Sequence, residues 1–196
     1  MKKTLKLPMV LSISLLLILS QIAGAFYARS LPLFAYAGVI LALSFSALPL
    51  IANQNLNISQ AGFKKSQFQS ILLNSAVLAV LALIIIKRAF AALNLPQGTN
   101  LALTCWIAFA GFIGLLVCAA VLIGEKELSE PKLLSIFYKY LIAAFGAFFV
   151  IIGAALSYLK GLYFIDSYVS IFFALIMILQ AAVLIKKSLK SLKCGE

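Results

Sequence analysis

The chain is 196 residues long, 64% hydrophobic and only 11% charged, with a mean hydropathy of +1.13 and a net charge of +11. Soluble domains are about 45 to 50% apolar and about 25% charged, so these values exclude that class and specify an integral membrane protein. They do not specify a nucleic-acid binder, because the basic residues are spread over the ends of apolar runs rather than gathered into a folded patch.

Six apolar runs reach the roughly 20 residues that a bilayer core requires, at about 9–28, 31–52, 66–86, 101–123, 133–158 and 164–185. They predict an all-α membrane protein, a six-transmembrane-helix bundle with no soluble domain. A single transmembrane domain would then cover 1–196, ending in a basic tail at 186–196.

The first run begins MKKTLKLPMVLSISLLLILS and reaches Ala23-Gly24-Ala25, which has the parts of a signal peptide. Its apolar character continues through Ile22, Phe26 and Tyr27, longer than such a segment needs, and a retained helix is expected. A very tight turn at Arg29 leads into the second run. There Ala35, Gly38, Ala42 and Ser46 form a stripe of small residues that lets another helix approach closely. In the fourth run Cys105 and Cys118 are 13 residues apart, which at about 100° per residue puts them on different faces, so they cannot share an ion. Cys194 reads as an exposed thiol in the tail. The tail also sets Leu189 and Leu192 among lysines, as an interfacial segment does.

The fifth run, SIFYKYLIAAFGAFFVIIGAALSYL, carries Lys139 near its start. A charge in the hydrocarbon costs about 2.5 to 3.5 kcal/mol on insertion scales and by default marks function. Lys139 lies on the same stripe as Ala143, Gly146, Ala147, Val150 and Ala154, which favours an inward position. It is also close enough to the helix start for its stem to carry the ammonium back to the interface. Both placements stay open. Asp166 and Ser167 open the sixth run, where Asp166 is expected to cap that helix, with a gate role as the alternative.

Lys2, Lys3, Lys6, Lys64, Lys65, Lys126, Lys132, Lys186, Lys187, Lys190 and Lys193 fall on one side of this topology, against Arg29, Lys87, Arg88 and Lys160 on the other. Positive charge is retained in the cytoplasm, so both termini are expected there, in the inner (plasma) membrane of a bacterium. The expected partners are the lipid bilayer and the anionic lipids of its inner leaflet, with no nucleic acid. Asn57-Ile58-Ser59 is a sequon on the cytoplasmic side, where it would go unused. The chain has no His, and its few carboxylates are Glu125, Glu127, Glu130, Asp166 and Glu196. No catalytic grouping, metal cluster or phosphate loop is visible, so no enzyme and no cofactor are expected.

The order of segments resembles the transmembrane domain of the cation diffusion facilitator (cation efflux) family. In VIIGAALSYLKGLYFIDSYVSIFFALIMILQAAVLIKKSLKSL, Gly153, Gly161, Asp166, Ser170 and Ala174 stand at the family's pattern positions, with Ser167 where a Pro is usual. KSQFQSILLNSAVLAVLALIIIKRAF is similar to the family's R-A-E-x-L segment, with Lys65 for Arg and Gln67 for Glu. The resemblance implies a six-helix transporter of divalent metal ions. Its metal site takes a D-x-x-x-D pair from the second helix and an H-x-x-x-D pair from the fifth, and here Tyr36, Ile40, Lys139 and Ala143 fall at those positions. None supplies the imidazole or carboxylate that a transition metal needs. The resemblance therefore implies a degenerate, transporter-like protein that has lost its metal site. A homodimer, or a heterodimer with an intact relative, would be its partnership. The alternatives are a transporter of another solute using a buried Lys139, and a structural or assembly subunit of a membrane complex.

Overall fold

The structure, a computed structural model, describes residues 6–56, 60–94, 99–123, 131–159 and 164–193, with side chains over 8–45, 68, 71–94, 99–122, 136–159 and 164–186. Six helices follow in order, α1 Lys6–Ala28, α2 Leu31–Leu56, α3 Gln60–Asn94, α4 Leu101–Ile123, α5 Pro131–Leu159 and α6 Phe164–Lys193, and there is no strand among the described residues. Five of them (α1, α3, α4, α5 and α6) carry apolar windows long enough to cross a membrane, and the described apolar part of α2 is Leu31–Phe45. Glu125, Glu127, Glu130, Lys160, Gly161, Cys194 and the sequon lie outside the described residues, as do the side chains of Ser46, Lys65 and Gln67.

Helix α2 stands in the middle. It touches α1, α3, α5 and α6, while α1 packs on α4, α4 on α5, α5 on α6 and α6 on α3. Neighbours on every side explain why α2 has no polar face: Pro32, Leu33 and every residue from Ala35 to Ile40 are buried. The outer surface is apolar instead. Leu16, Leu19, Leu83, Trp106, Ile142, Leu175 and Leu179 are all exposed, an arrangement that lipid tolerates and water does not.

The Arg29 turn is a Schellman closure of α1. Arg29 has φ 53°, the Ser30 N–H donates to the Ala25 carbonyl at 3.0 Å, and the Arg29 N–H donates to the Phe26 carbonyl at 3.4 Å. At the same end Asn100 caps α4, its Oδ1 accepting from the Leu103 N–H at 3.2 Å, while its own N–H donates to the Ala28 carbonyl at 3.0 Å. Both connections tie the end of α1 to the starts of its neighbours. Helix α3 extends beyond the expected 66–86 at both ends, because no Pro or Gly breaks it between Phe63 and Asn94 and Pro96 comes only after its end. Its apolar window runs from Ile71 to the helix end at Asn94, so the helix outlasts the crossing only at its start.

Candidate functional site

Tyr36 and Ile40 are one turn apart on α2, and both are wholly buried. The Tyr36 hydroxyl donates to the Ala143 carbonyl of α5 at 3.0 Å. Such a crossing needs the helices close together, and Gly146 provides the room: a Cβ there would stand 3.2 Å from Cε2 of the Tyr36 ring. On another side the Phe173 ring of α6 lies 6.0 Å from it, centroid to centroid, tilted by 50°. Tyr36 thus fills the junction of α2, α5 and α6.

Lys139 lies one turn before Ala143 on α5, and the side chain is exposed. Together with Tyr36, Ala143, Gly146, Phe172, Phe173 and Gln180 it lines a cavity of about 240 Å³. The two placements left open by the sequence therefore merge. Lys139 borders the cavity while its residue stays open to the surroundings, close to Ile136, where the apolar crossing of α5 begins. Ile40 packs in the core but does not line this cavity. Of the four residues that the resemblance set at ligand positions, Tyr36, Lys139 and Ala143 line this cavity, and Ile40 stands one turn along α2 from Tyr36.

Asp166 lies elsewhere. Helix α6 begins at Phe164, so Asp166 is its third residue and not the cap ahead of it. Its carboxylate instead accepts from the backbone N–H of Leu31, the first residue of α2. The expected cap is corrected to a cap of the neighbouring helix, since the Leu31 N–H opens α2 and has no acceptor within its own helix.

Two buried polar groupings escaped the sequence reading. Ser14 on α1 donates to the Val10 carbonyl at 2.8 Å, so the Tyr140 hydroxyl, 2.9 Å from Ser14 Oγ, is the donor in that pair. Cys118 Sγ lies 3.9 Å from both Ser14 Oγ and the Val10 carbonyl. Gln21 on α1 is buried and donates through Nε2 to the Ile107 carbonyl of α4 at 2.8 Å. Their signal was a polar side chain on an otherwise apolar helix, which lipid would penalise. These bonds also show α1 built into the bundle.

Among the described residues no group of three or more His, Cys, Asp or Glu side chains could hold a metal ion. The cavity at Tyr36 offers a phenol, a lysine and an amide, with Gly146 and aromatic rings around them. Residues 8–193 match the transmembrane domain of the cation efflux family. The chain belongs to the cation efflux family. That match spans all six helices, and the family consists of membrane transporters rather than enzymes, often dimeric. No curated protein is similar enough to this chain to count as a match. The cation efflux chain is thus a multi-pass integral membrane protein.

Proposed function

We propose that this chain is a cation efflux protein without the conventional divalent-metal site, acting as a pseudo-transporter or as a partner subunit. The observation that carries this reading is the bond from the Tyr36 hydroxyl to the Ala143 carbonyl. It joins two positions where the family resemblance puts metal ligands, and it spends the phenol's proton inside the protein. A metal substrate entering there would have to break that bond and displace the ring. It would receive no anionic ligand in return, while the ammonium of Lys139 on the same cavity repels it.

The reading includes six crossings with both termini in the cytoplasm, supported by the distribution of Lys and Arg, in a bacterial inner membrane. Function then lies in association, with a second copy or with an intact relative. The Lys139 cavity favours one other reading, a transporter whose solute carries a negative group that this lysine would recognise.

Flux of zinc, manganese and ferrous iron into proteoliposomes tests the proposal, with Lys139→Ala alongside. The expected result is flux no greater than in empty liposomes for both proteins. Wild-type flux would overturn it. Flux only in the variant would show a usable route plugged by one ammonium.

A further inference from the structure

The end of the bundle away from the two termini holds a second cavity, of about 510 Å³, between the α1–α2 turn, the last turns of α3 and the first turn of α6. This is within the range of about 300 to 1,000 Å³ typical of small-molecule clefts. Much of its wall is apolar, including Phe26, Phe34 and Ile84, with Phe26 66% and Ile84 45% exposed. Its polar groups are of two kinds. Arg29 and Arg88 are exposed and come from different elements, whereas Ser30 and Asp166 are 2% and 7% exposed.

Asp166 is the one acidic residue among the described residues. Its Oδ1 has no hydrogen-bond partner, and neither has Ser30 Oγ. A buried, unpaired carboxylate oxygen is costly, so the site lacks a donor on its inner side. On its outer side stand two guanidiniums, and the one carboxylate among the described residues, Asp166, accepts from the Leu31 N–H. A ligand that satisfies both sides carries a phosphate and an ammonium a short distance apart, with apolar chains to lay along Phe26, Phe34 and Ile84.

We propose that this cavity binds phosphatidylethanolamine, with the lipid phosphate on Arg29 and Arg88 and its primary ammonium donating to Asp166 Oδ1 and Ser30 Oγ. A guanidinium pair matches a phosphate geometrically. A primary ammonium has three protons to donate, and the trimethylated ammonium of phosphatidylcholine has none.

Native mass spectrometry of the full chain, with phosphatidylethanolamine, phosphatidylcholine or phosphatidylglycerol added in turn, tests this. Retention of a single phosphatidylethanolamine is expected to exceed that of either other lipid by about tenfold, the worth of one charge-assisted hydrogen bond. Arg29→Gln with Arg88→Gln is expected to abolish retention, and Ser30→Ala and Asp166→Asn to narrow the preference over phosphatidylglycerol. Because Asp166 also caps α2, the exposed arginine pair decides the matter if the Asp166 variant fails to fold. Equal retention of phosphatidylglycerol, or retention unchanged in the arginine double variant, would overturn the proposal. So would binding of soluble O-phosphoethanolamine with no lipid retained, which would assign the site to a free metabolite.

Discussion

On the α5 side of α2 the Tyr36 hydroxyl finds a partner within the chain, whereas at the start of α2 two buried oxygens do not. Tyr36 Oη ends on the Ala143 carbonyl, while Asp166 Oδ1 and Ser30 Oγ end on nothing. Both regions border a cavity, and both lie where a low dielectric makes an unpaired polar atom costly. What separates them is the source of the missing partner. At Tyr36 the protein supplies it; at Asp166, on the lipid proposal, it arrives from outside. Cavity size alone is a poor guide to a binding site, and hydrogen-bond satisfaction of the wall is a better one.

The largest expected effect tests the closed side. Tyr36→Ala removes a buried ring and its interhelical bond and is expected to destabilise by about 3 to 5 kcal/mol, as other large-to-small core changes do. Unfolding in detergent, followed by circular dichroism, would measure it. A variant as stable as the parent would show that the ring does not hold α2, α5 and α6 together. Gly111→Ala comes next, at about 1 to 3 kcal/mol from overpacking. A Cβ at Gly111 would stand 2.3 Å from Gln21 Nε2 and 3.3 Å from Cε1 of Tyr36, so the Gln21 bond to Ile107 must move. An unchanged midpoint in the same unfolding experiment would mean that the α1–α4 contact yields freely.

Smaller still is Tyr36→Phe, which keeps the ring and deletes only the donor. Interhelical hydrogen bonds in membranes are worth about 0.6 kcal/mol on average, and the Ala143 carbonyl keeps its place in the helix ladder. A small loss, set against the Tyr36→Ala value, separates the packing of the ring from the bond of its hydroxyl. A loss as large as that of Tyr36→Ala would assign the whole effect to the hydroxyl.

How far the sequence spoke differed between these regions. The six helices were legible from apolar runs, because the bilayer sets their length. The end of α3 was not, since Lys87 and Arg88 interrupt the apolar run while the helix goes on through Ala89, Phe90 and Leu93 to Asn94. Only the family resemblance put positions 36, 40, 139 and 143 into one set; periodicity pairs 36 with 40 and 139 with 143, but cannot bring α2 to α5. The Tyr140–Ser14 bond spans 126 residues of sequence and was hidden because a tyrosine in an apolar run reads as apolar. Asp166 was seen as a cap but given to the wrong helix, for a carboxylate's choice between two helix ends depends on how α6 sits against α2. Arg29 was visible as a turn, yet its left-handed backbone was not, as an arginine carries no mark of one.

That backbone gives the smallest and sharpest test of the open side. A non-glycine residue in the left-handed region pays about 1 kcal/mol or more, and glycine is the usual residue at this position of a Schellman closure. Arg29→Gly relieves that strain but adds freedom to the unfolded chain, which takes back about 0.4 to 1 kcal/mol. In detergent without lipid the net effect is therefore expected to be a few tenths of a kcal/mol toward greater stability. With phosphatidylethanolamine present the sign is expected to reverse, because a ligand that binds only the folded chain stabilises it by mass action and the variant has lost one of the two guanidiniums that would hold the phosphate. Unfolding midpoints of parent and variant, each with and without that lipid, measure the difference. A lipid-dependent change of sign would mean that an arginine holds a strained turn because its side chain has an anion to meet. The same small gain in both conditions would reduce Arg29 to a strained turn residue and remove the outer half of the proposed lipid site.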